Sequence, residues 1–224
     1  MTTNKLIICI LILTLMTSCY TAKQMNKTIT LSVTEDVIKN CQVKDSNTVL
    51  NTEKLELFTP SAKVNKIHYY FIPAFLYWET RDLLLAEINN RAYINNFTEA
   101  LNRKAIENNF AQKLQGRKLE ISLESTPNQF YYDYQHIMIC FIVGYYQTFH
   151  ANIHGKDQEL KISYRITKDN LEIKNGSFAT PFTDKELKEN TWTTAEAIKK
   201  YVELNRLQFI TNSEKLIQLV ANEL

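Results

Sequence analysis

Apolar and polar positions change period several times along the 224-residue chain, and each change predicts an element. Thr28–Val33 alternates polar and apolar side chains, the period of a half-buried strand. Residues 34–53 are polar and rich in Asn, Asp and Ser, a loop with at most one helical turn. Leu55–Phe58 and Ile67–Ile72 are short apolar runs stopped by Pro60 and Pro73, and both predict strands. Phe75–Ile88 fits either a bent strand or the approach to a helix. From Ile94 to Leu114 the period becomes helical, with Ile94, Phe97, Leu101, Ala105, Phe110 and Leu114 on one face and Gly116 at the stop.

Strands then return. Leu119, Ile121 and Leu123 alternate up to the break at Pro127-Asn128. His136–Thr148 has no polar stripe and predicts a central strand buried on both faces. Gly155–Gln158 turns into the clean alternation Leu160–Ile166, and Lys168–Asn170 turns again into Leu171–Lys174, closed by Asn175-Gly176. After Pro181 a helix is expected, capped at Thr193 or Thr194, striped by Ile198, Tyr201, Val202, Leu207 and Ile210, with a restart at Ser213. Strands, a helix, a meander and a final helix give an α+β fold: a two-layer sandwich with a mainly antiparallel sheet and two long helices on one face.

Composition narrows the chemistry. Four glycines, none close to another, exclude Walker-type and dinucleotide loops and leave no nucleotide cofactor to expect. Balanced charge without a dense basic run argues against nucleic-acid binding. His150 and His154 have helical ligand spacing, but on a strand they stand about 13 Å apart, so no metal site is expected. No Gly-x-Ser-x-Gly elbow occurs, and Cys140 sits among bulky hydrophobes, a poor setting for a nucleophile. No catalytic residue stands out; dispersed carboxylates converging in an envelope hydrolase are the enzymatic alternative.

The N-terminus carries an address. Lys5 precedes the apolar run Leu6–Met16, and Met16-Thr17-Ser18-Cys19 places small residues before a cysteine. This resembles the signal of bacterial lipoproteins, with residues 1–18 removed and Cys19 acylated. The run is about eleven residues, short of the roughly twenty a membrane span needs. Plain secretion or an uncleaved anchor are the other readings. Tyr20, in place of the Asp associated with inner-membrane retention, implies an outer-membrane, periplasm-facing protein. Residues 19–27 then read as a lipidated tether and 28–224 as a single α+β domain. Cys41 and Cys140 remain, either paired in an oxidising compartment or, for Cys140, buried as a small hydrophobe.

Aromatic clusters are the other distinctive feature. Tyr69-Tyr70-Phe71, Tyr77-Trp78, Phe130-Tyr131-Tyr132-Asp133-Tyr134 and Tyr145-Tyr146 are dense for one domain. Tyr70, Trp78, Tyr131, Tyr132 and Tyr134 are candidates for a surface that recognises lipid, glycan or protein. The plain alternative is that they fill a sheet–helix interface with hydroxyls reaching water.

The passage Ile88–Tyr93 into a helix, followed by a strand, the hairpin ending in Leu160–Ile166 and a late helix, resembles periplasmic lipoproteins auxiliary to lipid-trafficking ABC or MCE transport systems. It is similar also to lipopolysaccharide-assembly lipoproteins. The resemblance covers roughly residues 60–222, carries no catalytic residues, and implies a non-enzymatic accessory or scaffold working with membrane and envelope proteins. A lipid- or glycan-binding lipoprotein with an aromatic surface is the alternative.

Overall fold

The computed structural model describes residues 22–55, 62–72, 75–141, 144–156, 158–182 and 194–224. The signal segment, Cys19, the strand expected at Leu55–Phe58 beyond its first residue, and the Thr193 cap lie outside them. The fold is α+β, as the patterning predicts, with antiparallel pairing dominant. Its described elements are α1 (Ala22–Ile38), β1 (Thr48–Asn51), β2 (Ala62–Ile72), β3 (Phe75–Glu87), α2 (Asn90–Glu107), α3 (Phe110–Leu114), β4 (Lys118–Ser125), β5 (Gln129–Phe141), β6 (Gly144–Gly155), β7 (Glu159–Lys168), β8 (Leu171–Pro181) and α4 (Thr194–Glu223).

Instead of one sheet there are two of four strands each, ordered β1-β4-β7-β8 and β2-β3-β5-β6. They are two arms of one bent ribbon. β4 leads into β5 across residues 126–128, while β6 ends at Gly155 and β7 starts at Glu159, and bonds from Lys156 and to Gln158 bring the two crossings side by side. Three bonds fasten the bend: Lys156 N donates to Gln129 O (3.1 Å), Gln129 N to Gln158 Oε1 (3.0 Å), and Ser125 Oγ to Glu159 O (2.7 Å). β1 joins the first arm in parallel with β4, and β8 closes it through a two-residue turn at Asp169-Asn170. Both turn residues have positive φ, 50° and 64°, as a turn matched to strand twist requires. The second arm gains the β2–β3 hairpin, β3 lying antiparallel to β5.

Three of the sequence-based expectations are corrected. Thr28–Val33 is helical, because Met25, Ile29 and Val33 recur every four residues and are all buried, whereas Leu31 of the alternating set is exposed. The helix also takes in residues 22–27 of the expected tether. His136–Thr148 is not one central strand. It is the end of β5 and the start of β6, paired Phe141 with Gly144, Cys140 with Tyr145 and Ile139 with Tyr146. The Ser213 restart is absent, since α4 runs unbroken for 30 residues.

The helical stop falls close to its expected place. α2 gives way after Asn108, and Asn109, Gln115 and Gly116 carry positive φ (53°, 49° and 81°) around the single turn of α3. One continuous core joins both arms to the helices. It runs from Leu119, Ile121 and Leu123 through Ile162 and Ile166 to Phe130, Tyr132 and Ile153, with α1, α2 and α4 against it.

Candidate functional site

The second arm holds the aromatic candidates, and strand alternation separates them. On β5 the even positions Phe130 and Tyr132 point into the core, with Tyr132 fully buried. Phe130 meets Tyr201 of α4 at 4.7 Å between ring centroids, and Tyr134 stacks on Tyr132 at 6.2 Å. Tyr132 is therefore a core residue, not part of a binding surface, and Tyr134 packs half-buried beside it. Tyr131 faces the other way and stacks on His154 of β6 at 5.3 Å. Tyr70 and Trp78 have described backbones on β2 and β3, Tyr70 opposite Tyr77 and Trp78 opposite Met138, but their side chains lie outside what the structure describes.

The outer face of this arm changes character along the strands. Around Tyr131 it is mixed. Next comes a polar band in which Arg81 forms an ion pair with Asp133 and Gln135 Nε2 donates to Glu79 Oε1 (2.5 Å). The Tyr77 hydroxyl donates to the same Glu79 carboxylate (2.7 Å). Beyond that band, towards the hairpin ends, the side chains include Tyr77, Ile139, Phe141 and Tyr146, and the opposite face carries Leu76, Cys140 and Tyr145, preceded by Met138 and the exposed Gln147 opposite it. Tyr145, Tyr146 and Phe141 are 72%, 56% and 49% exposed. Strong hydrophobicity at His136–Thr148 was visible in the sequence, but alone it reads as burial; only Gly144, where β6 begins, hints at a turn.

The two remaining cysteines are free thiols. Cys41 lies in the connection held along α2, where Asn102 Nδ2 donates to Gln42 O (2.8 Å). Cys140 is one register position from the end of β5, on the far side of the bend. Both are unpaired in the structure, so the Cys41–Cys140 bond, one of the two readings of the sequence, is not formed there.

Two other regions bear on chemistry. A groove of about 470 Å³ lies between α1 and the start of α2, lined by Ile29, Val33, Val37 and Ile38 on one side and Glu87, Asn89 and Asn90 on the other. Burial raises the Glu87 carboxyl to about 7 against the opposing hydrogen bond from Asn128 Nδ2 (2.5 Å). Glu87 is the only carboxylate of that lining. Sequence reading missed it, because a glutamate ending a strand carries no local mark of being covered by a helix sixty residues earlier.

The outer face of the first arm carries Glu120 and Glu124. Glu124 is held down to about 2 by hydrogen bonds from Lys54 and Ser163, and Glu120 is lowered by Arg165. Standing four positions apart on β4, and both ion-paired, they form no acid–base pair. Among the described residues no three His, Cys, Asp or Glu side chains gather as metal ligands, and no helix is long and apolar enough to cross a membrane. No family model, no curated protein and no solved structure matches the chain.

Proposed function

We propose that this chain is a lipid-anchored, non-enzymatic accessory or scaffold protein of the bacterial envelope, held through acylated Cys19 on the outer membrane, facing the periplasm, and engaged in transport or assembly. The signal-like N-terminus supports the anchor, and several acyl chains together hold a membrane firmly where one does not. The observation that carries the accessory role is β8. This eleven-residue strand bonds to β7 on one side and has no second neighbour among the described strands. Eight of its eleven residues are exposed, Leu171 and Ile173 included. A long free edge is a ready template for a strand of another chain. The anchor leaves the folded body free to turn towards a partner.

The test is in-cell photo-crosslinking from position 173, followed by mass spectrometry. The expected result is repeated capture of components of one envelope transport or assembly complex from Ile173, and none from Glu196, at the end of α4 remote from the Lys174–Glu223 pair. Equal labelling from both positions, or no protein at all, would remove the accessory reading. A second reading, a small-ligand carrier, draws on the α1 groove with its aliphatic wall and neutral-leaning Glu87. Co-purified lipid or glycan lost in Val33→Asp would put that reading first.

A further inference from the structure

We propose that the free end of the second arm, formed by the adjoining ends of β3, β5 and β6, docks tip-first on the surface of a phospholipid bilayer.

The argument begins with the direction of the amphipathicity. A sheet that packs on protein is apolar on one face and polar on the other. Here the division runs across the strands. On the outer face the Arg81–Asp133 pair and the Glu79–Gln135 pair are followed, one register step further, by Tyr77, Ile139 and Tyr146. On the reverse face the exposed Gln147, opposite Met138, marks the polar side of the boundary, and beyond it stand Leu76, Cys140 and Tyr145. A single layer of strands that is apolar on both faces fits a medium that surrounds it, not a partner that covers one side. A boundary at right angles to the strands is the geometry of a water–lipid interface. Tyrosines at that boundary match the ring preference for headgroup depth.

Length limits how far the end enters. From Ile137 to Phe141 the chain rises about 13 Å at roughly 3.3 Å per residue, less than half of the ~30 Å hydrocarbon thickness. A spanning strand needs about 9–11 residues with one face apolar throughout, and the Arg81–Asp133 and Glu79–Gln135 pairs interrupt that face here, so this is a one-leaflet contact and not a barrel wall. The outer edges of β2 and β6 lack strand neighbours among the described residues. Unpaired backbone groups are costly in hydrocarbon, which keeps the end near the headgroups, where water still reaches them.

The start of α1, the first described element, bears on how an anchor would sit. Asn95 Nδ2 donates to Asp36 O (2.7 Å) and Lys39 O (2.6 Å), which places the C-terminal end of α1 beside the second turn of α2, beyond the base of β3. Ala22 is thus the end of α1 away from that contact. A lipid on Cys19 would approach the same bilayer that the strand ends face. The inference rests on the anchored reading only for that last step.

The experiment uses the processed full-length protein on vesicles of phosphatidylethanolamine and phosphatidylglycerol. A nitrobenzoxadiazole probe is placed at Tyr145→Cys or, as control, at Leu171→Cys, each with Cys41→Ser and Cys140→Ser. Flotation is read first, then emission and quenching by doxyl-labelled lipid. Docking predicts that both proteins float, that the probe at 145 shifts to the blue and is quenched several-fold, and that the probe at 171 does neither. Adding Phe141→Asp and Tyr146→Asp should return the probe at 145 to its aqueous emission without changing flotation. Flotation with an aqueous probe at 145 overturns the docking and leaves the anchor standing. A probe shielded but unquenched, with a doubled mass in light scattering, overturns it in favour of a second copy of the chain. Failure to float overturns both.

Discussion

Tyr93 shows how much one buried hydroxyl organises. It sits at 3% exposure, hydrogen-bonded to Asn205 Oδ1 and 3.2 Å from Pro127 O, to which Asn205 Nδ2 also donates (3.2 Å). Three distant parts of the chain meet there: the start of α2, the middle of α4 and the bend between the arms. Tyr93→Phe keeps the ring and strands Asn205 Oδ1, so unfolding stability should fall by about 1–3 kcal/mol, measured by urea denaturation. Gly176 has a similar hidden constraint. A Cβ there would stand 2.7 Å from Tyr164 Cε1 and 2.8 Å from its hydroxyl, on a ring stacked against Phe178. Gly176→Ala should therefore cost roughly 1–3 kcal/mol, and Gly176→Ala with Tyr164→Leu should recover part of it. The pairing explains why Asn175-Gly176, which reads as a strand stop, lies inside β8. Glycine marks a turn only when the local chain needs it, and here the reason is a tyrosine across the ladder. Glu87 supplies a pH signature. Burial favours its neutral form, raising it from 4.5 to about 7 in the fold. The contribution is full below the unfolded value and lost as pH rises through about 7, so stability should decline across that window. In Glu87→Gln the decline should flatten; an unchanged pH profile of the urea midpoint would show that Glu87 is not its source.

At the scale of elements, α1 is the least expected and the most dependent on tertiary partners. Residues 28–33 satisfy a strand and a helix template equally, because Ile29 and Val33 belong to both. Only Leu31 and Met25 decide, and that choice is made by what lies beneath. The hydroxyls of Thr30, Ser32 and Thr34 each bond the carbonyl four residues back at 2.8 Å, absorbing side chains that favour strands and turns. One buried carboxylate fastens the helix. The Asp36 side chain is 2% exposed and 2.9 Å from Arg206 Nη1 on α4, with Lys39 at 3.5 Å. Arg206→Ala would leave that carboxylate poorly compensated. Because the guanidinium itself is partly solvated, the expected loss is about 2–3 kcal/mol rather than more. Asp36→Asn with Arg206→Ala should lose less than Arg206→Ala alone, as compared by thermal unfolding. An equal or greater loss in the double variant would mean that the pair acts through packing. The β7–β8 turn was by contrast readable, since the turn residues and positive φ agree at Asp169-Asn170, although β8 runs on past the stop expected at Asn175-Gly176.

Over the whole molecule, sequence periodicity conveys strands and helices but not that consecutive strands belong to different sheets. Nothing local at Thr126–Asn128 or Lys156–Gln158 says that the ribbon bends there; the information lies in which core each half joins. The exposed end of the second arm was misread for a related reason, as an apolar run without a polar stripe is the pattern of a buried strand. The element that makes the two arms one body is α4. Its 30 residues span about 45 Å at 1.5 Å per residue. Near its start Tyr201 packs on Phe130 of the second arm, and near its end Lys174 of the first arm pairs with Glu223. Lys113 and Arg117 reach the last carbonyls, at Ala221 (2.7 Å) and Leu224 (3.2 Å). Phe209 lies midway, wholly buried and edge-on to Tyr93 at 4.6 Å. If α4 couples the arms, Phe209→Ala should cost about 3–5 kcal/mol and weaken both arms together. Amide hydrogen exchange can follow them separately, through Leu119–Leu123 on one side and Phe130–Tyr132 on the other. Equal losses of protection in both stretches would establish a single cooperative unit. Retained protection in β4 with loss in β5 would mean that the bend, and not the helix, sets the boundary of cooperativity, and that the second arm can open while the first stays folded.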